Sequence, residues 1–250
     1  MRVLLTRPQR ESEEFAERLA AAGHEAIISP VFEIEALQHS LLNVAVCDGL
    51  VATSAHALEL LADCDLDDGL RTKPLWLVGE RTAQAARAQG FSHVAHLAAD
   101  AQSLATHFLQ SAKQPARLIY LAGRDRKPVL EQALEAQGIL VSVCEIYAAR
   151  ETAALSPQAV AHLSRNTIEA VLHFSRRSAE ILVRQAQASE QEALQKSLQD
   201  ALHVCLSDDV ARGLAGLAPR QVRVAVSPSA AAMIAALERG PEGCAPRWND

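Results

Sequence analysis

Apolar residues along this chain come in short runs separated by stretches of helical spacing, the pattern of a parallel α/β protein. Val3-Leu4-Leu5 reads as a buried strand, and residues 9–22 as a helix with Phe15, Leu19 and Ala22 on one face. Gly23 is placed to stop that helix, and Ala26-Ile27-Ile28 reads as the next strand, ended by Ser29-Pro30. Together these make one βαβ unit, a connection that is almost always right-handed.

The same layout returns at a constant offset of 115 residues, which pairs Arg2 with Arg117, Gly23 with Gly138 and Phe32 with Tyr147. Leu118-Ile119-Tyr120-Leu121 is the second copy's strand, residues 127–137 its helix and Ile139-Leu140-Val141 its next strand. Three matches at one offset over one layout indicate an internal duplication.

A second repeat has different content. Leu50-Val51-Ala52 and Val171-Leu172-His173-Phe174 each lead to a serine, Ser54 or Ser175, and then a helix. Leu75-Trp76-Leu77-Val78-Gly79 corresponds to His203-Val204-Cys205-Leu206-Ser207, and further strands near 93–97 and 222–226 precede helices starting near Ser103 and Ser229. With the first unit called A and this one B, the chain reads A, B, A, B.

A doubly wound sheet needs one A and one B. One arrangement joins the central B and second A, residues 39–145, into an inserted domain, and leaves 1–32 with 151–250 as a discontinuous one. Residues 33–38 and 146–150 then form two linker strands lying side by side. The repeats also permit the simpler division 1–150 and 151–250, because adjacency is not visible in sequence. The passage 153–166, with Pro157, and the tail from Gly240 read as the least ordered parts, whereas 185–200 keeps the spacing of a surface helix or helix pair.

Composition narrows the class. Aromatic residues are only 4%, so Leu, Val, Ile and Ala carry the packing, and a net charge of -6 argues against broad coating of nucleic acid. No basic-apolar leader pattern opens the sequence, and no apolar run is long enough to span a bilayer. The five cysteines, Cys47, Cys64, Cys144, Cys205 and Cys244, show no C-x-x-C spacing. Cys47, Cys144 and Cys205 lie in apolar surroundings, so buried reduced thiols and a cytoplasmic protein are expected.

Candidate chemistry sits where strands end and helices begin, since unpaired backbone N–H groups there attract anions. Arg7, Arg10, Arg81, Arg124, Arg126, Lys127, Arg176 and Arg177 all fall in such junctions, eight of the chain's 24 basic residues. A polyanion in an interdomain cleft gives that distribution a use, although Glu80, Asp125, Asp208 and Asp209 could pair the same charges. Any single Ser or Thr there is more often a helix cap than a ligand contact. P-loop, dinucleotide, G-x-S-x-G and H-E-x-x-H patterns are absent, and the nine histidines make no metal-spaced cluster. His56 and His173 read as spacer or cap residues, Tyr120 as core, and Tyr147 as a hydroxyl able to face the cleft. The residues alone leave enzyme and anion-binding protein nearly equal.

In order, Val3-Leu4-Leu5-Thr6-Arg7-Pro8, Val51-Ala52-Thr53-Ser54, Val78-Gly79-Glu80-Arg81-Thr82-Ala83, Leu121-Ala122-Gly123-Arg124, Gly138, Ile146-Tyr147, Phe174-Ser175 and Ala211-Arg212 resemble the uroporphyrinogen-III synthase family. Each motif is weak; their order over almost the whole chain is specific. The resemblance implies two similar doubly wound α/β domains joined by a two-stranded β linker, the first discontinuous. It therefore favours the interrupted arrangement.

The implied activity, in heme and tetrapyrrole biosynthesis, is cyclisation of hydroxymethylbilane to uroporphyrinogen III, with loss of water and inversion of ring D. No metal, nucleotide or redox cofactor is expected. The implied partner is a polycarboxylate linear tetrapyrrole, bound by a monomer that transiently meets the preceding enzyme, with no nucleic acid or membrane partner. By this resemblance Tyr147 and Thr82 are the chemical candidates. Arg7, Ser54, Gly79, Arg81, Gly123, Arg124, Ser175 and Ser178 are the substrate-binding ones.

Two departures bear on function. Ser207-Asp208-Asp209-Val210-Ala211 stands where the family often has Gly-Pro-Thr-Thr-Ala, and Ser54-Ala55 replaces Ser-Pro. The first supports an alternative in which a tetrapyrrole- or polyanion-binding protein keeps the fold without turnover. A structural role in a biosynthetic assembly is a further alternative.

Overall fold

The central strands of both sheets are short and apolar because they are buried on both faces, as parallel sheets require. The computed structural model describes residues 1–38, 47–61, 68–111, 115–126, 128–189 and 191–239. The chain opens with β1 (Arg2–Leu5), α1 (Gln9–Ala21), β2 (Glu25–Ile28) and β3 (Phe32–Ala36). There follow β4 (Gly49–Ala52), α2 (Ala55–Glu59), α3 (Asp68–Arg71), β5 (Leu75–Val78), α4 (Glu80–Ala88), β6 (Val94–Ala98) and α5 (Ala101–Gln110). The second A copy is β7 (Arg117–Gly123), α6 (Val129–Glu135) and β8 (Leu140–Glu151). The rest is α7 (Pro157–Ser164), β9 (Ala170–His173), α8 (Arg176–Ala188), α9 (Glu192–Asp200), β10 (Leu202–Cys205), α10 (Asp208–Arg212), β11 (Gln221–Val224) and α11 (Ala230–Glu238).

Two sheets result, ordered β11-β10-β9-β1-β2 and β3-β8-β7-β4-β5-β6. The first takes its strands from the first A and the final B, so its domain is discontinuous in sequence. The chain divides into two units, Met1–Glu33 with Arg150–Asp250, and Ile34–Ala149. Pairing within β11-β10-β9-β1-β2 and within β8-β7-β4-β5-β6 is parallel. The duplication extends to backbone detail: Gly23 and Gly138 both end a helix at φ +77°, where a side chain is disfavoured.

Each sheet is covered on both faces, as alternation along its strands dictates. In the discontinuous unit, Leu4 and Val171 join Leu163, Leu182 and Leu198 of α7, α8 and α9, whereas Val3, Leu5 and Leu172 join Phe15, Leu19 and Met233 of α1 and α11. In the inserted unit, Leu50 and Leu121 pack with Leu58 and Ala86 of α2 and α4, whereas Val51 and Leu118 pack with Phe108 and Leu134 of α5 and α6.

Two features differ from expectation. Residues 153–166 are not irregular: α7 occupies most of the passage, the Ser156 hydroxyl accepts from the Ala159 N–H, and Pro157 sits in the first turn. A proline there loses no helical hydrogen bond and has its φ already set, so the residue read as a breaker is an initiator. The joining passages are paired strands, as expected, and they continue the inserted unit's sheet. β8 is one strand of 12 residues, and β3 runs beside it at the sheet edge. Val31 accepts from the Thr152 N–H (3.0 Å) and Ile146 from the Leu37 N–H (2.8 Å), so the two run in opposite directions. Finally, His173 is neither spacer nor cap but fully buried core. Cys47 and Cys205 are buried thiols and Cys144 is half-buried. Cys64, Lys127, Cys244 and the tail from Gly240 lie outside the described residues.

Candidate active site

Because β11-β10-β9-β1-β2 and β8-β7-β4-β5-β6 are parallel, the residues that follow these strands collect on one edge of each unit. In the inserted unit these are Thr53-Ser54 after β4, Gly79 after β5 and Gly123-Arg124 at the end of β7, with Tyr147 in β8 opposite. A break in the ladder places Tyr147. Ala122 pairs with Glu145 but Gly123 with Tyr147, so β8 carries one extra residue. In a regular strand Ile146 and Tyr147 would face opposite sides. Here both pack on the core beneath α2 and α4.

The Tyr147 ring lies directly against Gly123. A Cβ there would stand 2.7 Å from Tyr147 Cε2 and Cζ and 2.9 Å from its hydroxyl oxygen. His56 meets the ring edge-on, centroids 5.7 Å apart, and His56 Nδ1 is 3.5 Å from Glu59 Oε2. Burial pushes the Tyr147 phenol above its ordinary value, and a hydrogen bond from Ser54 pulls the other way. The phenol is thus neutral at physiological pH, a proton or hydrogen-bond donor. Ser54 occupies the N-cap position of α2 but makes no capping bond. Its hydroxyl serves Tyr147 instead.

Tyr120 is core as expected, though not inert: its hydroxyl is 2.7 Å from Thr53 Oγ1, and burial raises its pKa. Thr82 is buried within α4, its N–H donating to the Gly79 carbonyl (3.1 Å). Gly79 caps that helix at φ +80°, and Arg81 is half-buried in the first turn.

The discontinuous unit presents Thr6-Arg7 after β1, Phe174-Ser175 after β9 and Ser207 after β10. Arg7 stacks its guanidinium on Phe174 at 4.4 Å. Ser175 caps α8, accepting from the Ser178 N–H at 3.1 Å, and its hydroxyl is 2.7 Å from that of Ser178, which is itself buried. These two serines therefore support the helix first. Val210 is core, and Ser207 caps α10 by accepting from the Val210 N–H.

The basic residues are less available than their positions suggest. Arg10 pairs with Glu14 (3.3 Å), Arg176 with Glu180 (2.8 Å) and Asp209 (3.4 Å), and Arg177 lies 5.8 Å above the Phe32 ring. Arg124 Nε donates to Glu145 Oε2 (3.0 Å), and Arg126 binds Glu131 Oε1 (2.6 Å) and Glu145 Oε1 (3.3 Å). The Arg124 bond is the main cause holding the Glu145 carboxyl below its usual range. Local carboxylates thus claim much of the cluster. Most were not the anticipated ones: Glu131 lies in the first turn of α6 and Glu145 on β8.

Sequence reasoning missed the bulge, the Ser54 bond to Tyr147 and the packing of His56. Their one trace is Cys144-Glu145-Ile146-Tyr147, where Tyr147 falls out of the alternation set by Cys144 and Ile146. No group of three or more His, Cys, Asp or Glu among the described residues is placed to hold a metal ion. No helix of the described residues is long and apolar enough to cross a membrane.

The family profile described as uroporphyrinogen-III synthase HemD matches residues 13–235. The chain belongs to the uroporphyrinogen-III synthase family. Membership supports an enzymatic role in tetrapyrrole biosynthesis. Among solved structures, uroporphyrinogen-III synthetase from Helicobacter pylori superposes with a TM-score of 0.65 at 14% identity, over 94% of this chain and 97% of that one. A mutant uroporphyrinogen III synthase from the extremely thermophilic bacterium Thermus thermophilus gives 0.56 at 18% identity, over 95% and 97%. At such identities the likeness shows the fold. No curated protein sequence matches the chain.

Proposed function

We propose that this family member closes hydroxymethylbilane to uroporphyrinogen III, losing water and inverting ring D. The observation that carries the reading is Tyr147, a neutral phenol oriented by Ser54 and Gly123 at the strand ends of the inserted unit. In the first step the C–O bond of the terminal hydroxymethyl group breaks. The Tyr147 hydroxyl gives its proton to the departing oxygen, which leaves as water, while the pyrrole nitrogen lone pair forms the azafulvene and the pyrrole N–H proton returns to the tyrosinate.

Ring D is then attacked at its substituted α-carbon to give a spiro pyrrolenine, whose fragmentation and recombination close the ring with D inverted. Because the free substrate closes without inversion, the protein's work is to select the attacking geometry and stabilise developing charge. Arg7, Arg81 and Arg124, with Gly79, Thr82, Ser175 and Ser178, are the proposed contacts to substrate. Arg124 would exchange Glu145 for a substrate carboxylate, leaving Glu145 with Arg126.

A second reading, a binder without turnover, is favoured by Val210, a core side chain where the family often places a hydroxyl, and by Asp209, paired to Arg176. Freshly generated hydroxymethylbilane separates the two. The proposal expects isomer III faster than spontaneous closure; isomer I at the no-protein rate rejects it.

A further inference from the structure

The turn that follows β7 carries a buried ion-pair network that the proposed reaction does not use. Arg126 Nε donates to Glu131 Oε1 (2.6 Å), while its Nη1 reaches Glu145 Oε1 (3.3 Å) and the carbonyls of Gly123 (3.0 Å) and Arg124 (3.4 Å). Only 10% of the Glu131 side chain and 23% of that of Arg126 is exposed, so this is a packed fork, not a solvated surface pair.

From this fork the turn grips the β8 strand on both sides of one residue. The Arg124 N–H donates to the Tyr147 carbonyl (2.8 Å), and Asp125 Oδ2 accepts from the Ala149 N–H (3.2 Å). Glu145, two residues before Tyr147, is itself one of the fork's carboxylates. The bulge then swings the Tyr147 ring onto Gly123, where even a methyl group would overlap it.

We infer that Gly123 and Arg126 are positioning residues for Tyr147, forming a seat that fixes its phenol, and that neither is primarily a substrate ligand. Arg126 holds the turn by its carbonyls; Gly123 leaves the space the ring fills. Lysine cannot take over, since one ammonium does not reproduce a planar fork spanning two carboxylates and two carbonyls. The inference rests on the proposed role of Tyr147, but its geometry can be read without turnover.

The chain has two tyrosines, so protein labelled with 3-fluorotyrosine gives two fluorine resonances, and Y147F identifies that of Tyr147. G123A is expected to shift the Tyr147 resonance and leave that of Tyr120 in place. R126K is expected to shift or broaden the Tyr147 resonance as well. With hydroxymethylbilane, both variants should lose about 10- to 100-fold in kcat while KM stays within about twofold. In a Y147F background, G123A should add little further loss. Should G123A fail to fold, R126K decides.

An unmoved Tyr147 resonance in the folded variants overturns the seat. A moved resonance with unchanged kcat, or KM rising in step with the loss of kcat, overturns the positioning role. If wild-type protein does not turn over while G123A still moves the resonance, the seat stands and the reading of function falls.

Discussion

Ser54 and Ser175 occupy corresponding N-cap positions after β4 and β9, but their hydroxyls have different partners. Ser175 satisfies a helix N–H; Ser54 leaves its helix uncapped and holds Tyr147. Ser175→Ala should therefore cost about 1 kcal/mol of stability, the usual worth of a cap. Ser54→Ala should cost less than about 0.5 kcal/mol. In turnover, S54A should lower kcat through Tyr147 and raise the Tyr147 pKa further, since the lost bond favours the ionised form, whereas Ser175→Ala should act on KM through its substrate contact. Urea melts of both variants beside their rates test the contrast. Both serines are conspicuous in the sequence, where they look equivalent. What separates them is whether a phenol lies opposite, and that depends on a pairing between β4, β7 and β8 that no local pattern encodes.

At the scale of elements, β9 and β10 are joined through their side chains by a buried histidine pair. His203 Nε2 donates to the Leu198 carbonyl (2.7 Å), which leaves its Nδ1 to accept from His173 Nε2 (2.8 Å). His173 Nδ1 has no hydrogen-bond partner among the described residues, and the rings stack 5.1 Å apart. Burial lowers both imidazoles, that of His203 to about 4 and that of His173 well below its usual 6.5. Since the unfolded chain takes up these protons near 6.5, the folded state is fully favoured above that pH. Stability is then lost as pH falls from 6.5 toward about 4, by about 1.4 kcal/mol per pH unit for each imidazole that must charge. A melting-temperature series across that window should flatten in H173L/H203L, whatever that variant's stability at neutral pH. An equally steep series would assign the acid sensitivity elsewhere. The strands carrying the pair were legible from their apolar runs. The pair was not, because His173 and His203 are 30 residues apart and meet only through parallel β9–β10 pairing. α7 was hidden for the opposite reason: Pro157 is a strong local signal whose sense depends on where the helix begins.

At the scale of the molecule, the A, B, A, B repeat was readable because duplication leaves matched landmarks such as Arg2 and Arg117, which open β1 and β7. Which copies pair is a non-local fact, settled by β1 lying between β2 and β9. The discontinuous unit closes on itself, since Val31 and Thr152 are joined by a backbone hydrogen bond of 3.0 Å. Replacing residues 34–149 by a short glycine linker should thus leave a cooperatively folding α/β unit, monitored by circular dichroism during denaturation. That chain lacks Tyr147 and should form no isomer III.

Tyr147 is a phenol that its surroundings keep neutral and aim. Wild-type protein and Y147F, given hydroxymethylbilane from one preparation with isomers I and III resolved, test its role most directly. Wild type should yield isomer III well above spontaneous closure. Y147F should be slower by about 100-fold or more, with isomer I rising as the uncatalysed reaction takes over. Equal rates and equal shares of isomer III from the two proteins would contradict the account.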